Sequence, residues 1–66
     1  MTSYMGQKVK RLREAREWSQ PDLAKRAKVS QAYIAELELG TKRNPSVRIA
    51  VRLAKALGVP VTALLE

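Results

Sequence analysis

The chain has no cysteine and no histidine, so disulfides, thiolate nucleophiles and the commonest zinc ligands are excluded. No apolar run approaches the ~20 residues of a membrane span, and the N-terminus lacks a secretory leader pattern. It has neither a glycine-rich phosphate loop nor an acidic pair placed where a pocket is expected. An enzymatic role, a metal, a cofactor and a small-molecule substrate are therefore not expected. No aromatic platform for stacking unpaired bases is present, which argues against RNA as the ligand. The lack of cysteine fits a reducing compartment, and the expected location is cytoplasmic.

What the chain does have is positive charge and helical periodicity. Its 66 residues carry 13 Lys and Arg against 6 Asp and Glu, a net charge of +7. A chain this short builds one core, so a single domain over residues 1–66 is expected. Without a covalent staple it depends on well-packed helices or on a partner subunit. So high a charge on so small a body points to a polyanion. Lysines that merely solvate helix surfaces explain the same charge, so charge narrows the partner without naming it.

Apolar residues recur at helical spacing, and the breaks fall at short capping signals. A first helix is expected from Gly6 to Glu17, with Met5, Val9 and Leu12 inward and Lys8, Lys10, Arg11 and Arg16 outward. The second opens on Ser19, with Pro21 in the first turn and Asp22 at N3, a close relative of the capping box. Trp18 and Leu23 are placed to form a hydrophobic staple, and the helix ends near Ala27. Ser30 caps a third helix, Gln31 to Leu39, that stops at Gly40. Val29 and Ile34 repeat the staple. After the polar loop "TKRNPS", Ser46 caps a fourth helix over Val47–Leu57. Its buried stripe is Ile49, Ala50, Leu53, Ala54 and Leu57, while Arg48, Arg52 and Lys55 lie outside. Gly58 ends it, and "VPVTALLE" supplies a last helical turn. The expected fold is all-α, with five helices and no strand.

Helices two and three are joined by too few residues to pack as a long antiparallel pair. A short helix, a tight turn and a second helix crossing steeply is the helix-turn-helix arrangement. Leu23, Ala24, Ala27, Val29, Ile34 and Leu37 all point into the angle between them, and the two alanines let the axes approach. An ordinary helical hairpin accounts for the hydrophobic spacing nearly as well. It leaves unexplained the coincidence of small residues, tight turn and basic loop.

The run "LREAREWSQPDLAKRAKVSQAYIAELELGTKRNPS", followed by "LAKALGVPVTALL", resembles the phage repressor and Cro type (XRE-like) of helix-turn-helix domain. The resemblance covers Val9 to Leu65. It is carried by Ser-Gln before Leu-Ala, Val-Ser before the third helix, Glu-x-Gly at its end, Asn-Pro-Ser before the fourth and Leu-Gly-Val before the fifth. It implies a five-helix, lambda-repressor-like domain that binds double-stranded DNA sequence-specifically and regulates transcription, as a homodimer on a palindromic operator. One position departs from the pattern. Lys28 stands where such motifs most often have glycine, because the backbone there tends toward positive φ.

A helix fits the major groove and leads with its N-terminal residues. With Ile34 and Leu37 turned to the core, the candidate base contacts are Gln31, Ala32, Tyr33, Ala35 and Glu36. Gln31 matches the donor and acceptor of adenine, and the alanines meet a thymine methyl or permit close approach. Glu36 either accepts from a cytosine amino group or disfavours wrong sites. Tyr33 either bonds a phosphate or packs against helix two. Candidate phosphate contacts are Gln20, Lys28, Thr41, Lys42, Arg43 and Asn44. The resemblance further implies that Gln20 braces Gln31, and that Arg13 pairs with Glu38 as scaffold. The apolar residues left after filling the core are Val59, Val61, Leu65 and Leu39, of which Val59, Val61 and Leu65 cluster and form the expected dimer patch. The alternative function is an antitoxin-type protein-interaction module that also binds its own promoter.

Overall fold

The structure, a computed structural model, describes residues 5–42 and 45–65. Five helices follow one another: α1 Met5–Ala15, α2 Gln20–Ala27, α3 Gln31–Leu39, α4 Val47–Leu57 and α5 Thr62–Leu65. No strand occurs among the described residues.

Serine starts α2, α3 and α4 by satisfying an N–H that the helix ladder leaves unpaired. Ser19 Oγ accepts from the Asp22 N–H at 3.1 Å while the Ser19 N–H donates to Asp22 Oδ2 at 2.8 Å, completing a capping box. Ser30 and Ser46 accept from the N–H groups of Tyr33 and Ile49 at 3.0 and 3.2 Å.

The four longer helices also end alike, each with the paired backbone bonds of a Schellman motif. At α4 the Gly58 and Val59 N–H groups reach Lys55 O and Ala54 O, and at α3 Gly40 and Thr41 reach Leu37 O and Glu36 O. Gly40 and Gly58 take the required positive φ, 91° and 72°. At α1 and α2 that position is held by Glu17 (φ 58°) and Lys28 (φ 60°). The strain expected at Lys28 is therefore present. The stop at Glu17 was not expected: α1 ends at Ala15, two residues short of the Glu17 boundary read from the sequence. A glutamate in the left-handed region ends a helix as glycine does, at a cost in backbone strain, but its identity gives no warning.

The interior is formed by Val9, Leu23, Ile34, Leu37, Leu53, Leu57 and Leu64, all fully buried. Ala24 and Ala27 are buried where α2 packs between α3 and α4. Burying side chains of this size contributes about 1.5–3 kcal/mol each for the larger ones. α3 rests on both α1 and α2, so one face is held and the opposite face is left open. α5 closes the base through Leu64, against α1 and α4.

Candidate nucleic-acid interface

The side chains of α3 divide by helical position. Ile34, Leu37 and Glu38 are buried; Gln31 and Ala32 are exposed; Tyr33, Ala35 and Glu36 are half-buried. Because Ser30 caps the helix, Gln31 is its first residue, at the end that carries positive partial charge. Burial pushes the Tyr33 phenol above its usual range.

The loop after α3 folds back on the same helix. The N–H groups of Thr41 and Lys42 donate to Glu36 O at 3.0 and 3.3 Å. Lys42 Nζ stands 3.8 Å from Glu36 Oε1 and 5.6 Å from the centre of the Tyr33 ring. The candidate contacts Tyr33, Glu36 and Lys42 are thus one cluster, in which lysine offsets the only acid on the open face of α3. Thr41 is exposed beside it. Arg43 and Asn44 lie outside the described residues.

Behind this surface sits a hydrogen-bonded charge network. Arg13 donates from Nε to Glu38 Oε2 at 2.8 Å and from Nη2 to Glu38 Oε1 at 2.9 Å, while its Nη1 reaches the Trp18 carbonyl at 2.6 Å. The hydrogen bond to Glu38 raises the Arg13 pKa further above its ordinary value, against the opposing effect of burial. Gln20, the first residue of α2, joins the same carboxylate through Nε2 at 3.0 Å. Among the described residues no hydrogen bond links Gln20 to Gln31; the brace implied by the resemblance runs instead to Glu38. An ionised carboxylate is the stronger acceptor, and an amide choosing between it and another amide turns to it. Gln20 still steadies the helix that carries Gln31, but from behind.

Lys28 stands apart from these residues. It lies at the opposite end of α2 from Gln20, about 12 Å away along an eight-residue helix, beside Arg26, Arg52 and Lys55. Of the three residues of the expected dimer patch, Leu65 is 61% exposed, whereas Val59 and Val61 are half-buried against the core. Leu39 and Val47 are the other exposed large apolar side chains.

Two roles escaped the sequence reading. Arg16 does not lie on the outer face of α1. It is half-buried, donating to Leu12 O at 2.8 Å and to Leu57 O at the end of α4. Arg26 stacks over Trp18 at 4.2 Å, with Arg16 5.9 Å from the same ring. The reach of Arg16 to Leu57 O has no local signal, since it depends on how α1 and α4 are docked.

This chain belongs to the helix-turn-helix family, whose model matches residues 9–64. Its relatives are regulators by name. The immunity repressor protein of Bacillus phage phi105 is 37% identical over 60 residues, which are 91% of this chain and 41% of that protein. The transcriptional regulator SinR of Bacillus subtilis is 31% identical over 62 residues, 94% of this chain and 56% of SinR. The crystal structure of SinR in complex with DNA superimposes with a TM-score of 0.90 at 31% identity, covering 94% of this chain and 98% of that one. The restriction-modification controller protein C.AhdI of Aeromonas hydrophila gives 0.85 at 32% identity, covering 91% and 89%. The chain thus spans between two-fifths and three-fifths of the length of the two curated relatives. Among the described residues no helix is long and apolar enough to cross a membrane.

Proposed function

We propose that this chain is the sequence-specific, double-stranded-DNA-binding unit of a transcriptional regulator, with α3 seated in the major groove. The observation that carries the reading is the two-sided character of α3. Its inner face is fixed by Ile34, Leu37 and the Arg13–Glu38 pair, and its first turn presents Gln31 and Ala32 to solvent. That is the arrangement by which a helix reads base edges. The likeness to SinR, solved with DNA, supports it. Gln31 reads a base, with Ala32 and Ala35 permitting approach. Tyr33, Thr41 and Lys42, with Arg43 and Asn44, bind phosphates, and Glu36 sharpens the choice of site. The role is binding without catalysis.

One helix reads too few base pairs for useful specificity, so the regulator acts as a homodimer on half-sites ~34 Å apart. Leu65 with Val59 and Val61 forms the contact, and the bound dimer represses. Selection from a random duplex pool tests all of this at once. A palindromic consensus with half-sites one turn apart is the expected result, with affinity falling steeply as salt rises. Equal affinity for every duplex sequence would sink the reading.

A further inference from the structure

A cleft of about 410 Å³ opens between the C-terminal ends of α2 and α4, lined by Arg26, Ala27, Lys28, Arg52, Lys55 and Ala56. Four of these six carry positive charge, and no acid lines the cleft. None of the six belongs to the surface proposed to meet DNA; Lys28, expected from the sequence to touch phosphate, stands apart from it. Ala27 and Ala56 keep the floor shallow, so a ligand entering between the helices reaches all four cations.

Basic residues are common at helix C-termini, where they offset the partial negative charge of unpaired carbonyls. Here that accounts for a minority of the charge. Two helix ends supply roughly −0.5 each and Asp22 acts on Arg26, against four full cations, leaving about +2 unbalanced. Two further details are not explained by helix-end pairing. Lys28 occupies a left-handed position that glycine takes with less strain. Arg26 is held over Trp18 at 4.2 Å, which limits its freedom before any ligand arrives.

We propose that this cleft is a second anion site, distinct from the DNA-reading surface, that binds an oligophosphate chain. A phosphate chain carries about −1 on each bridging group and up to about −2 on a terminal one at neutral pH, which places the needed charge in a space this small. Paired guanidinium and ammonium groups are the side chains suited to them. The chain is carried by a nucleotide or is free inorganic polyphosphate.

The test titrates the 66-residue protein separately with inorganic tripolyphosphate and with ATP, following backbone amide shifts at ~0.15 M salt. Saturable shifts confined to the ends of α2 and α4 are expected in at least one arm. Response to both assigns binding to the phosphate chain alone; response to ATP alone assigns it to a nucleotide-borne chain. R52Q/K55Q should weaken binding about tenfold or more, the loss of charge-assisted bonds, and leave the salt dependence of duplex binding unchanged. Lys28→Gly should raise Tm while weakening binding, a pairing that a merely structural lysine does not produce. Absence of saturable shifts overturns the proposal. So do shifts centred on Gln31, Glu36 and Lys42, binding of poly-glutamate in place of tripolyphosphate, or a reduced salt slope for duplex in R52Q/K55Q.

Discussion

Arg13 and Glu38 meet through two side-by-side hydrogen bonds, with each residue only 8% exposed. A pair this desolvated adds little over an apolar replacement, because water must be stripped from both charges, yet halving it leaves a charge buried without its partner. Arg13→Ala is expected to cost about 3–5 kcal/mol. Arg13→Met combined with Glu38→Leu should recover most of that. Urea denaturation of the three proteins measures both values. Equal losses in the single and double variants would show that the geometry of the pair, and not the orphaned carboxylate, governs stability.

Two helices end on non-glycine residues in the left-handed region. The conformation costs roughly 1–2 kcal/mol for a residue with a Cβ, and glycine returns about 0.5–1 kcal/mol of that to unfolded-chain entropy. Glu17→Gly and Lys28→Gly should each stabilise by about 0.5–1 kcal/mol, read as a higher Tm. A lower Tm in both would mean that contacts of the native side chains outweigh the backbone strain.

Gln31 and Lys42 should fail in different ways. Gln31→Ala is expected to relax preference at one base position by about 1–3 kcal/mol. Lys42→Met should weaken all duplexes by similar factors and lower the slope of log affinity against log salt by about one phosphate contact. Parallel selections on the two variants separate the roles. A uniform loss for Gln31→Ala removes that residue from base reading.

The capping box makes a prediction about acid. The hydrogen bonds from Ser19 hold the Asp22 carboxyl below its ordinary value of 3.8. A carboxyl whose pKa is depressed on folding stabilises the fold above its unfolded pKa and stops doing so as pH falls through the folded one. Tm should therefore drop as pH falls below about 4, and Asp22→Asn should flatten part of that drop. An unchanged acid profile in Asp22→Asn would assign the loss to other carboxylates.

The helices were legible because their signals are local. Serine caps, the Asp22 partner and the glycines at 40 and 58 each act within a few residues, so reading them required no knowledge of packing. The inward faces of α2, α3 and α4 followed from periodicity. What the sequence did not reveal depends on docking or on unusual backbone. Glu17 stops α1 in a conformation its identity does not announce. Arg16 reads as a surface residue of α1, but α1 ends before it and its guanidinium reaches the last carbonyl of α4. Gln20 donates to the buried Glu38 carboxylate, a partner set by how α2 and α3 dock. Lys28 read as one more phosphate contact, and only the packing of α2 on α4 groups it with Arg52 and Lys55.

Leu64 gives the shortest helix an influence beyond its length. Four residues hold almost no helix on their own, and α5 is tied by short turns such as Ala63 N–H to Pro60 O at 2.9 Å. Yet Leu64 is 1% exposed, so α5 cannot fray without bringing a core leucine into water. That raises the local opening energy by about 1.5–3 kcal/mol. The α5 amides should therefore exchange hydrogen for deuterium more slowly than an isolated four-residue helix does, and Leu64→Ala should release them without altering exchange in α3.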